Sequence, residues 1–156
     1  MKICHVINSL NRGGAESHLL ELAKAQNNEG LLIDIVVIGK DNKNIFSIEQ
    51  ELIKCCNNIF RLNGPRMFNL FSYFKLKNLI KNNEYDIIHS HQPRSDYMIH
   101  ILKKYVFSKT LFKWIVSIHG KYDSYLDNNY NTVFKLYFFK KLLKSWTYAD
   151  SVIVIS

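Results

Sequence analysis

The chain is poor in the residues that interrupt or cross-link a fold. Among its 156 residues there are only 2 prolines, 6 glycines and 3 cysteines, whereas 47% of the sequence is hydrophobic. Collagen-like and disordered chains need far more glycine, proline or charge than this. The apolar residues also run in short blocks rather than heptads, which excludes a coiled coil. The composition therefore predicts one compact domain over residues 1–156, long enough to bury a core without disulfide or metal support.

Cysteine ligand patterns and long apolar runs are also lacking. Cys4, Cys55 and Cys56 have neither CxxC nor Cys/His spacing, which argues against a disulfide framework and against a zinc site. The apolar N-terminal stretch is too short for a signal peptide, and no window reaches the roughly 18 apolar residues of a membrane span. We therefore expect a cytoplasmic protein with reduced thiols.

Acidic residues are outnumbered 13 to 21 by Lys and Arg, which gives a net charge of +8. The surplus is concentrated after residue 100, where Lys140, Lys141 and Lys144 share one helix side with Tyr137. The opposite side of that helix is apolar, formed by Phe134, Phe138, Leu142, Leu143 and Trp146. Such a helix suits an anionic membrane surface at the inner face of the membrane, and equally suits the flank of a sheet. Nucleic acid is not expected, because no RNP, helix-turn-helix or zinc-finger pattern accompanies the charge.

Short β-branched blocks alternate with longer stretches of helical period, which is the rhythm of βαβ units. The predicted strands are Lys2–Asn8, Leu31–Gly39, Asn58–Leu62, Asp86–Ser90, Trp114–Ile118 and Ser151–Ile155. The predicted helices are Ala15–Asn28, Ile45–Cys56, Met67–Lys81, one that begins at Pro93, and Thr132–Tyr148. Continuous rather than alternating apolar strands indicate a sheet covered on both faces. The fold class is therefore α/β, a doubly wound, Rossmann-like parallel sheet of six strands in the order 3-2-1-4-5-6.

Two helices carry apolar stripes that we expect to face this sheet. The first stripe consists of Met67, Leu70, Phe71 and Phe74, and the second of Tyr97, Met98, Ile101, Leu102, Tyr105 and Val106.

In this strand order the winding direction changes between strands one and four, and ligands of such sheets bind in the crevice at that point. The segments that follow strands one, four and five therefore converge there. They are residues 8–16, 89–94 and 119–123.

The first of these segments contains a glycine pair, Gly13-Gly14, between a strand and a helix. Glycines can adopt positive φ and let a ligand approach the backbone, and a helix start offers free N–H groups to a phosphate. A tight turn that requires glycine explains the pair as well. The adjacent glycines do not fit the GxGxxG pattern, and no GxxxxGK[ST] loop occurs in the chain.

The other two segments place His89, His91 and His119 at or beyond strand ends. No HExxH or cysteine-containing ligand pattern accompanies them, so we expect no metal. Imidazole suits acid/base work or hydrogen bonding to a sugar hydroxyl or phosphate near neutral pH. The alternative is that a strand-end histidine only satisfies a backbone carbonyl, which applies most to His89 because it still lies within its strand.

Four segments in register resemble one known family. MKICHVINSLNRGGAESHLLELAKAQ, YDIIHSHQP, VSIHG and ADSVIVIS are similar, in order and spacing, to the N-terminal domain of family 4 glycosyltransferases, which have the GT-B fold. The resemblance implies transfer of a sugar from a nucleotide-sugar donor to a glycan or lipid-linked acceptor, with retention at the anomeric carbon. It implies no cofactor and no metal, and it implies that the departing phosphate accepts the acceptor proton.

The resemblance also implies roles for particular residues. Gly13 and Gly14 would present N–H groups to the donor diphosphate, and His119 would be the catalytic residue beside the transferred sugar. The acceptor or sugar would be bound by Arg12, Glu16, His91 and Arg94.

The family pattern includes a second Rossmann-like domain that carries two Glu residues and holds the nucleotide, and residues 1–156 do not supply it. We therefore expect this chain to be the acceptor-side half, without transferase activity alone. Two alternatives stay open at this point, namely a stand-alone binding or regulatory subunit and an unrelated Rossmann-like domain for a phosphorylated ligand.

Overall fold

The computed structural model describes residues 1–42, 45–64, 69–107, 112–120 and 132–155; from residue 132 to 139 it describes the backbone and, of the side chains, Tyr137 alone. The strands are β1 (Lys2–Ile7), β2 (Leu32–Val37), β3 (Asn58–Arg61), β4 (Ile87–Ser90), β5 (Lys113–His119) and β6 (Ser151–Ile155). The helices are α1 (Gly14–Asn28), α2 (Glu49–Leu52), α3 (Leu70–Asn83), α4 (Pro93–Tyr105) and α5 (Thr132–Trp146).

All six strands form one parallel sheet in the order β3-β2-β1-β4-β5-β6, which confirms the predicted topology. β1 therefore lies between β2 and β4, and His5 of β1 is in register with His89 of β4. The change of winding direction falls at this β1–β4 seam.

Buried side chains form one cluster on each face of the sheet, as expected for strands that are covered on both sides. One cluster joins β1 and β2 to Leu19 and Leu20 of α1 and Leu52 of α2. The other joins the opposite strand faces to Leu76 of α3 and Leu102 of α4. The doubly wound arrangement is thus built by the helices on either side of the seam.

The predicted core face of α3 is wrong. Leu70, Phe71 and Phe74 are 73%, 63% and 54% exposed, and Leu76 and Ile80 are buried in their place. The sequence contains two apolar stripes on this helix, and the buried one continues for further turns through Leu76, Leu79 and Ile80, whereas the predicted one ends at Phe74. Met67 lies outside the described residues.

The faces of α4 and α5 are predicted only in part. Met98 and Leu102 are buried as expected, but Tyr105 and Val106 at the end of α4 are exposed and Ile99 is buried. In α5 Leu142 is buried, whereas Leu143 is 44% exposed. Lys140, Lys141 and Lys144 are exposed together with Tyr137, as predicted, and Lys141 Nζ lies 4.6 Å from the centre of the Tyr137 ring. Phe134 and Phe138 lie outside the described side chains.

The predicted second helix is much shorter than Ile45–Cys56 because its first residues pair with the loop after β1. Asn11 forms an antiparallel bridge with Ser47, Arg12 N donates to Phe46 O at 2.7 Å, and Ile48 N donates to Leu10 O at 2.9 Å. These bonds hold the glycine-containing loop against its neighbour.

Two further findings bear on the chain as a whole. The three cysteines are free thiols. Within the described part of the chain, no helix combines the length and apolar character that crossing a bilayer requires.

We expect Leu19→Ala to lower the free energy of unfolding by about 2–5 kcal/mol, because Leu19 is fully buried in the core and its truncation leaves a cavity. Leu70→Ala is the matched control, since Leu70 is 73% exposed and its truncation removes little buried surface. Urea denaturation of both variants measures the difference. Equal destabilisation by the two substitutions would contradict the assignment of the core face of α1 and the exposed face of α3.

Candidate functional site

The carboxyl ends of β1, β4 and β5 lie side by side, so the segments that follow them share one crevice. α1 begins at this edge with Gly14, α4 begins there with Pro93, and β5 ends there with His119. Gly120, directly after β5, has φ +75°, a left-handed conformation that favours glycine.

The start of α1 is an uncapped helix N-terminus. Gly13 is the N-cap residue and has no side chain with which to cap, so only its carbonyl takes part, accepting from Ser17 N at 2.9 Å. The first N–H groups of a helix have no intrahelical partner and carry part of the positive end of the helix dipole. Both glycines are exposed. The site therefore offers backbone donors to an anion.

The glycine pair does not use positive φ, contrary to the expectation from the sequence. Gly13 has φ −152°, which is extended backbone open to any residue, and Gly14 is the first helical residue. A Cβ at Gly13 would lie 2.6 Å from Glu16 Oε2, so the carboxylate of Glu16 accounts for glycine there. Among the described residues, a Cβ at Gly14 would meet no atom within 4 Å. With respect to those residues, the space in front of Gly14 is open to a ligand.

Arg12 and Glu16, which flank this turn, make bonds within the protein. The Arg12 guanidinium donates to both carboxylate oxygens of Glu51 in α2, at 3.0 and 2.8 Å. Glu16 is buried and its Oε1 accepts from Gln92 Nε2 at 2.8 Å. Gln92 Oε1 in turn accepts from Asn8 N at 2.9 Å, so Gln92 links the loops after β1 and β4.

Arg94, in the first turn of α4, reaches across the ends of β2 and β3. Its Nη2 donates to the carbonyl of Gly64 at 3.1 Å, and a Cβ at Gly39 would lie 3.3 Å from its Nη1. Partial burial lowers the pKa of this guanidinium through desolvation. A side chain at Gly39 or Gly64 would clash with the guanidinium of Arg94 in this position.

His119 stands at the end of β5 with its ring half-buried, and its buried Nε2 atom has no hydrogen-bond partner among the residues that the structure describes. The centre of its ring lies 5.3 Å from that of His18 in α1 and 5.9 Å from that of His91. Desolvation lowers its pKa, with a smaller contribution from His18, so the ring is neutral near pH 7. His119 is therefore held beside the first turns of α1, where the open space at Gly14 lies.

His91 lies beneath the crevice in a group of three buried imidazoles with His5 and His89. His5 Nδ1 is 2.9 Å from His91 Nε2, and His5 Nε2 is 2.7 Å from Gln26 Oε1 of α1. His89 Nε2 is 2.8 Å from Ser117 Oγ of β5, and its ring stacks on that of His91 with centres 4.2 Å apart.

The partners of His5 fix the tautomers of two rings. Gln26 Oε1 can only accept, so His5 donates from Nε2 and accepts at Nδ1. His91 must then donate to it from Nε2, and the lone pair of neutral His91 lies on Nδ1. That Nδ1 atom is buried, and no described residue offers it a hydrogen bond.

Burial keeps this group uncharged. Desolvation lowers the pKa of His5 to about 4 and that of His89 to about 3, and it lowers the pKa of His91 well below its ordinary value. Nearby histidines lower the pKa of each of these rings further. Protonation of any of these rings would place a cation in the interior of the sheet.

A family comparison decides the class of protein that this crevice belongs to. Residues 12–156 match the family model described as Glycosyltransferase Family 4. The chain belongs to glycosyltransferase family 4. This confirms the resemblance seen in the four sequence segments. No curated protein matches this family 4 chain significantly.

Solved structures similar to the family 4 chain share its fold at low sequence identity. Anabaena Alr3699/HepE in complex with UDP-glucose has a TM-score of 0.68 at 16% identity, over 100% of this chain and 37% of that one. Sucrose-phosphate synthase from Thermosynechococcus elongatus has a TM-score of 0.63 at 16% identity, over 100% and 43%. The lipopolysaccharide outer core galactosyltransferase WaaB has 0.54 at 13%, over 74% and 32%. The chain thus spans less than half the length of each of these proteins.

Sequence reasoning about the family 4 site missed His5, His18, Gln26 and Ser117. His5 and Ser117 lie inside apolar strands and were counted as core positions. His18 had a usable signal, because it lies four residues after Gly14 and so on the same face of α1. The signal for His5 appears only with the strand order, which puts it in register with His89.

We expect the free energy of unfolding of this family 4 chain to fall as pH drops below about 6.5. The unfolded chain then protonates His5, His89 and His91, which the folded chain keeps neutral. Burial raises the pKa of Asp96 to about 7, so the folded chain takes up one proton of its own there. Near pH 5 these four groups alone give a net difference of two protons, a slope of about 2.7 kcal/mol per pH unit.

Urea denaturation at several values between about pH 4.5 and pH 8 measures this slope, because histidine titrates within that range. His5→Gln should make it shallower by about 1.4 kcal/mol per pH unit, and Asp96→Asn should make it steeper by about the same amount. A slope that neither substitution changes would contradict the burial of neutral rings at the seam.

Proposed function

We propose that this chain is the N-terminal, acceptor-side domain of a retaining glycosyltransferase. The enzyme transfers a sugar from a nucleotide-sugar donor to a glycan or lipid-linked acceptor. The donor nucleotide is held mainly by a second Rossmann-like domain, and the crevice at the β1–β4 seam closes on the diphosphate and the transferred sugar. In support, residues 1–156 span 37–43% of the length of HepE and sucrose-phosphate synthase.

The observation that carries the proposal is the open, uncapped start of α1 next to His119. Gly14 leaves room for an anion in front of free N–H groups, and the contact between His18 and His119 places β5 beside the same helix. HepE has been solved with UDP-glucose bound, and a diphosphate of that kind carries the negative charge that such a helix end attracts.

In this proposal the α1 N-terminus stabilises the leaving diphosphate as the bond to the sugar breaks. Charge builds up on the departing phosphate in the transition state, so N–H donors aimed at it favour the transition state over the bound donor. Neutral His119 presents Nε2 to a hydroxyl of the transferred sugar. His91 supports the ring of His119 from beneath the crevice floor.

The acceptor proton passes to the departing phosphate rather than to a protein carboxylate. In the described parts of the three crevice loops Glu16 is the one carboxylate, and it is buried in a bond to Gln92. The described parts of those loops therefore hold no pair of carboxylates of the glycosidase kind. Arg12 and Arg94 border the crevice on the side of β2 and β3, where we place the acceptor.

UDP-glucose is the probe for the test, because it is the donor named for HepE. Titration of the ¹⁵N-labelled chain, followed by NMR, should shift the amide signals of Gly13 and Gly14 and the ring signals of His119. We expect a Kd in the range of about a millimolar, since most donor contacts belong to the other domain. Saturable shifts confined to other surfaces, or micromolar affinity for the chain alone, would contradict the proposal.

Gly14→Ala should weaken UDP-glucose binding at least tenfold while keeping or raising stability. The added methyl group meets no protein atom, and alanine stabilises a helix by about 0.5–1 kcal/mol relative to glycine. It does fill the space through which an anion would approach the free N–H groups. NMR titration and urea denaturation of the same variant measure the two effects separately.

Asn27→Ala is the matched control, because Asn27 is exposed in the last turn of α1 and the change also favours the helix. It should raise stability without changing the affinity for UDP-glucose. If Gly14→Ala binds the donor as tightly as Asn27→Ala does, the diphosphate does not lie at the start of α1.

A further inference from the structure

The three buried imidazoles at the β1–β4 seam are more than a packing feature. One nitrogen atom of each ring lies within 4.8 Å of one nitrogen atom of each of the other two, and all three residues are buried. We propose that His5, His89 and His91 form a site for one divalent transition-metal ion, with Zn²⁺ as the ion that fits best. The proposal does not depend on the proposed function.

The ligand set suits zinc by its chemistry. Three imidazoles bind Zn²⁺, Ni²⁺ or Cu²⁺ in preference to Mg²⁺ or Ca²⁺, which take oxygen ligands. An imidazole binds such an ion through a nitrogen lone pair, and each neutral ring has one nitrogen that offers it.

The spacing of the rings is close to that of a tetrahedral site. Zn–N bonds of about 2.0–2.1 Å put two ligand nitrogens about 3.3 Å apart. His5 Nδ1 and His91 Nε2 are 2.9 Å apart, so they need to separate by only a few tenths of an ångström. The longest separation in the group is at most 4.8 Å, so it needs to shorten by no more than about 1.5 Å.

Two of the rings already have the outer hydrogen bonds that orient metal-bound histidine. His5 donates from Nε2 to Gln26 Oε1, and His89 Nε2 lies 2.8 Å from the hydroxyl of Ser117. Each bond leaves the other nitrogen of its ring, Nδ1, as the ligand atom. Such partners fix the tautomer and strengthen the metal bond.

His91 can change its tautomer so as to bind an ion. Its residue is fully buried, and its Nδ1 atom has no hydrogen-bond partner among the described residues, so this atom can take up a proton. In the metal-bound form the ion lies between His5 Nδ1 and His91 Nε2, and the proton that those atoms share moves to His91 Nδ1. Both rings stay neutral, and both bind the ion through a lone pair.

Two partly exposed rings lie next to the buried group on the crevice side. His18 and His119 are half-buried, and their ring centres lie 6.5 and 5.9 Å from that of His91. An ion bound beneath them would tie β1 to β4 under the donor site without touching the transferred sugar.

The test uses the untagged 156-residue chain, stripped of metal with a chelator and titrated with Zn²⁺ in a calorimeter. We expect one ion per chain with a Kd below about a micromolar. Co²⁺ in place of Zn²⁺ should give the strong visible absorption of a tetrahedral site. Absence of stoichiometric binding would overturn the proposal.

His5→Gln and His89→Gln should each weaken Zn²⁺ binding at least 100-fold. His100→Gln is the matched control, because His100 is also partly buried and has an unpartnered Nδ1 but packs against Tyr148, away from the group. It should leave the affinity unchanged. If His5→Gln binds Zn²⁺ as tightly as His100→Gln does, the ion lies elsewhere.

X-ray absorption at the zinc edge of the unmutated chain keeps the test decisive should the variants fold poorly. The expected spectrum shows three imidazole ligands with Zn–N distances of about 2.0–2.1 Å. A spectrum dominated by sulfur ligands would assign the ion to the neighbouring thiols Cys55 and Cys56, and would overturn the proposal.

Discussion

The site depends on one constraint, that β1 and β4 are neighbours in a parallel sheet although about 80 residues separate them in the chain. Their adjacency places two helix starts and the end of β5 at one edge, and it also puts His5 opposite His89 in the interior. A polar ring in such a position must be neutral and hydrogen-bonded. Gln26, Ser117 and the other imidazoles meet this requirement, so α1, β1, β4 and β5 are joined by polar contacts as well as by apolar packing.

The same seam explains how the crevice can favour an anion while its floor is uncharged. The floor of neutral imidazoles adds no charge of its own, so the field at the opening comes from the α1 N-terminus together with the Glu16 carboxylate in its first turn. Arg12 is paired with Glu51, and Glu16 is buried against Gln92, so neither competes for the space in front of Gly14. A metal ion held below this layer would add a positive charge and stiffen the floor without entering the reaction.

The strand order and the three crevice loops were predictable from the sequence, because continuous apolar strands and the positions of glycine and histidine carry that information locally. The helix faces were predicted less well. α3 contains two apolar stripes, and only its packing on the sheet decides that Leu76 rather than Phe74 is buried. The role of glycine at position 13 was misjudged because it follows from the carboxylate of Glu16, a contact set by the fold. His5 could not be recognised as a site residue from the sequence, because only the strand order places it in register with His89.

The central claim is that the donor diphosphate lies at the start of α1, with the transferred sugar beside His119. A crystal structure with UDP-glucose, of this chain together with the second domain that we propose for the enzyme, tests it most directly. The account predicts that phosphate oxygens lie within about 3 Å of the amide nitrogens of the Gly13-Gly14 turn, with His119 Nε2 in contact with the sugar. A donor bound wholly by the other domain, with the space in front of Gly14 filled by water, would contradict it.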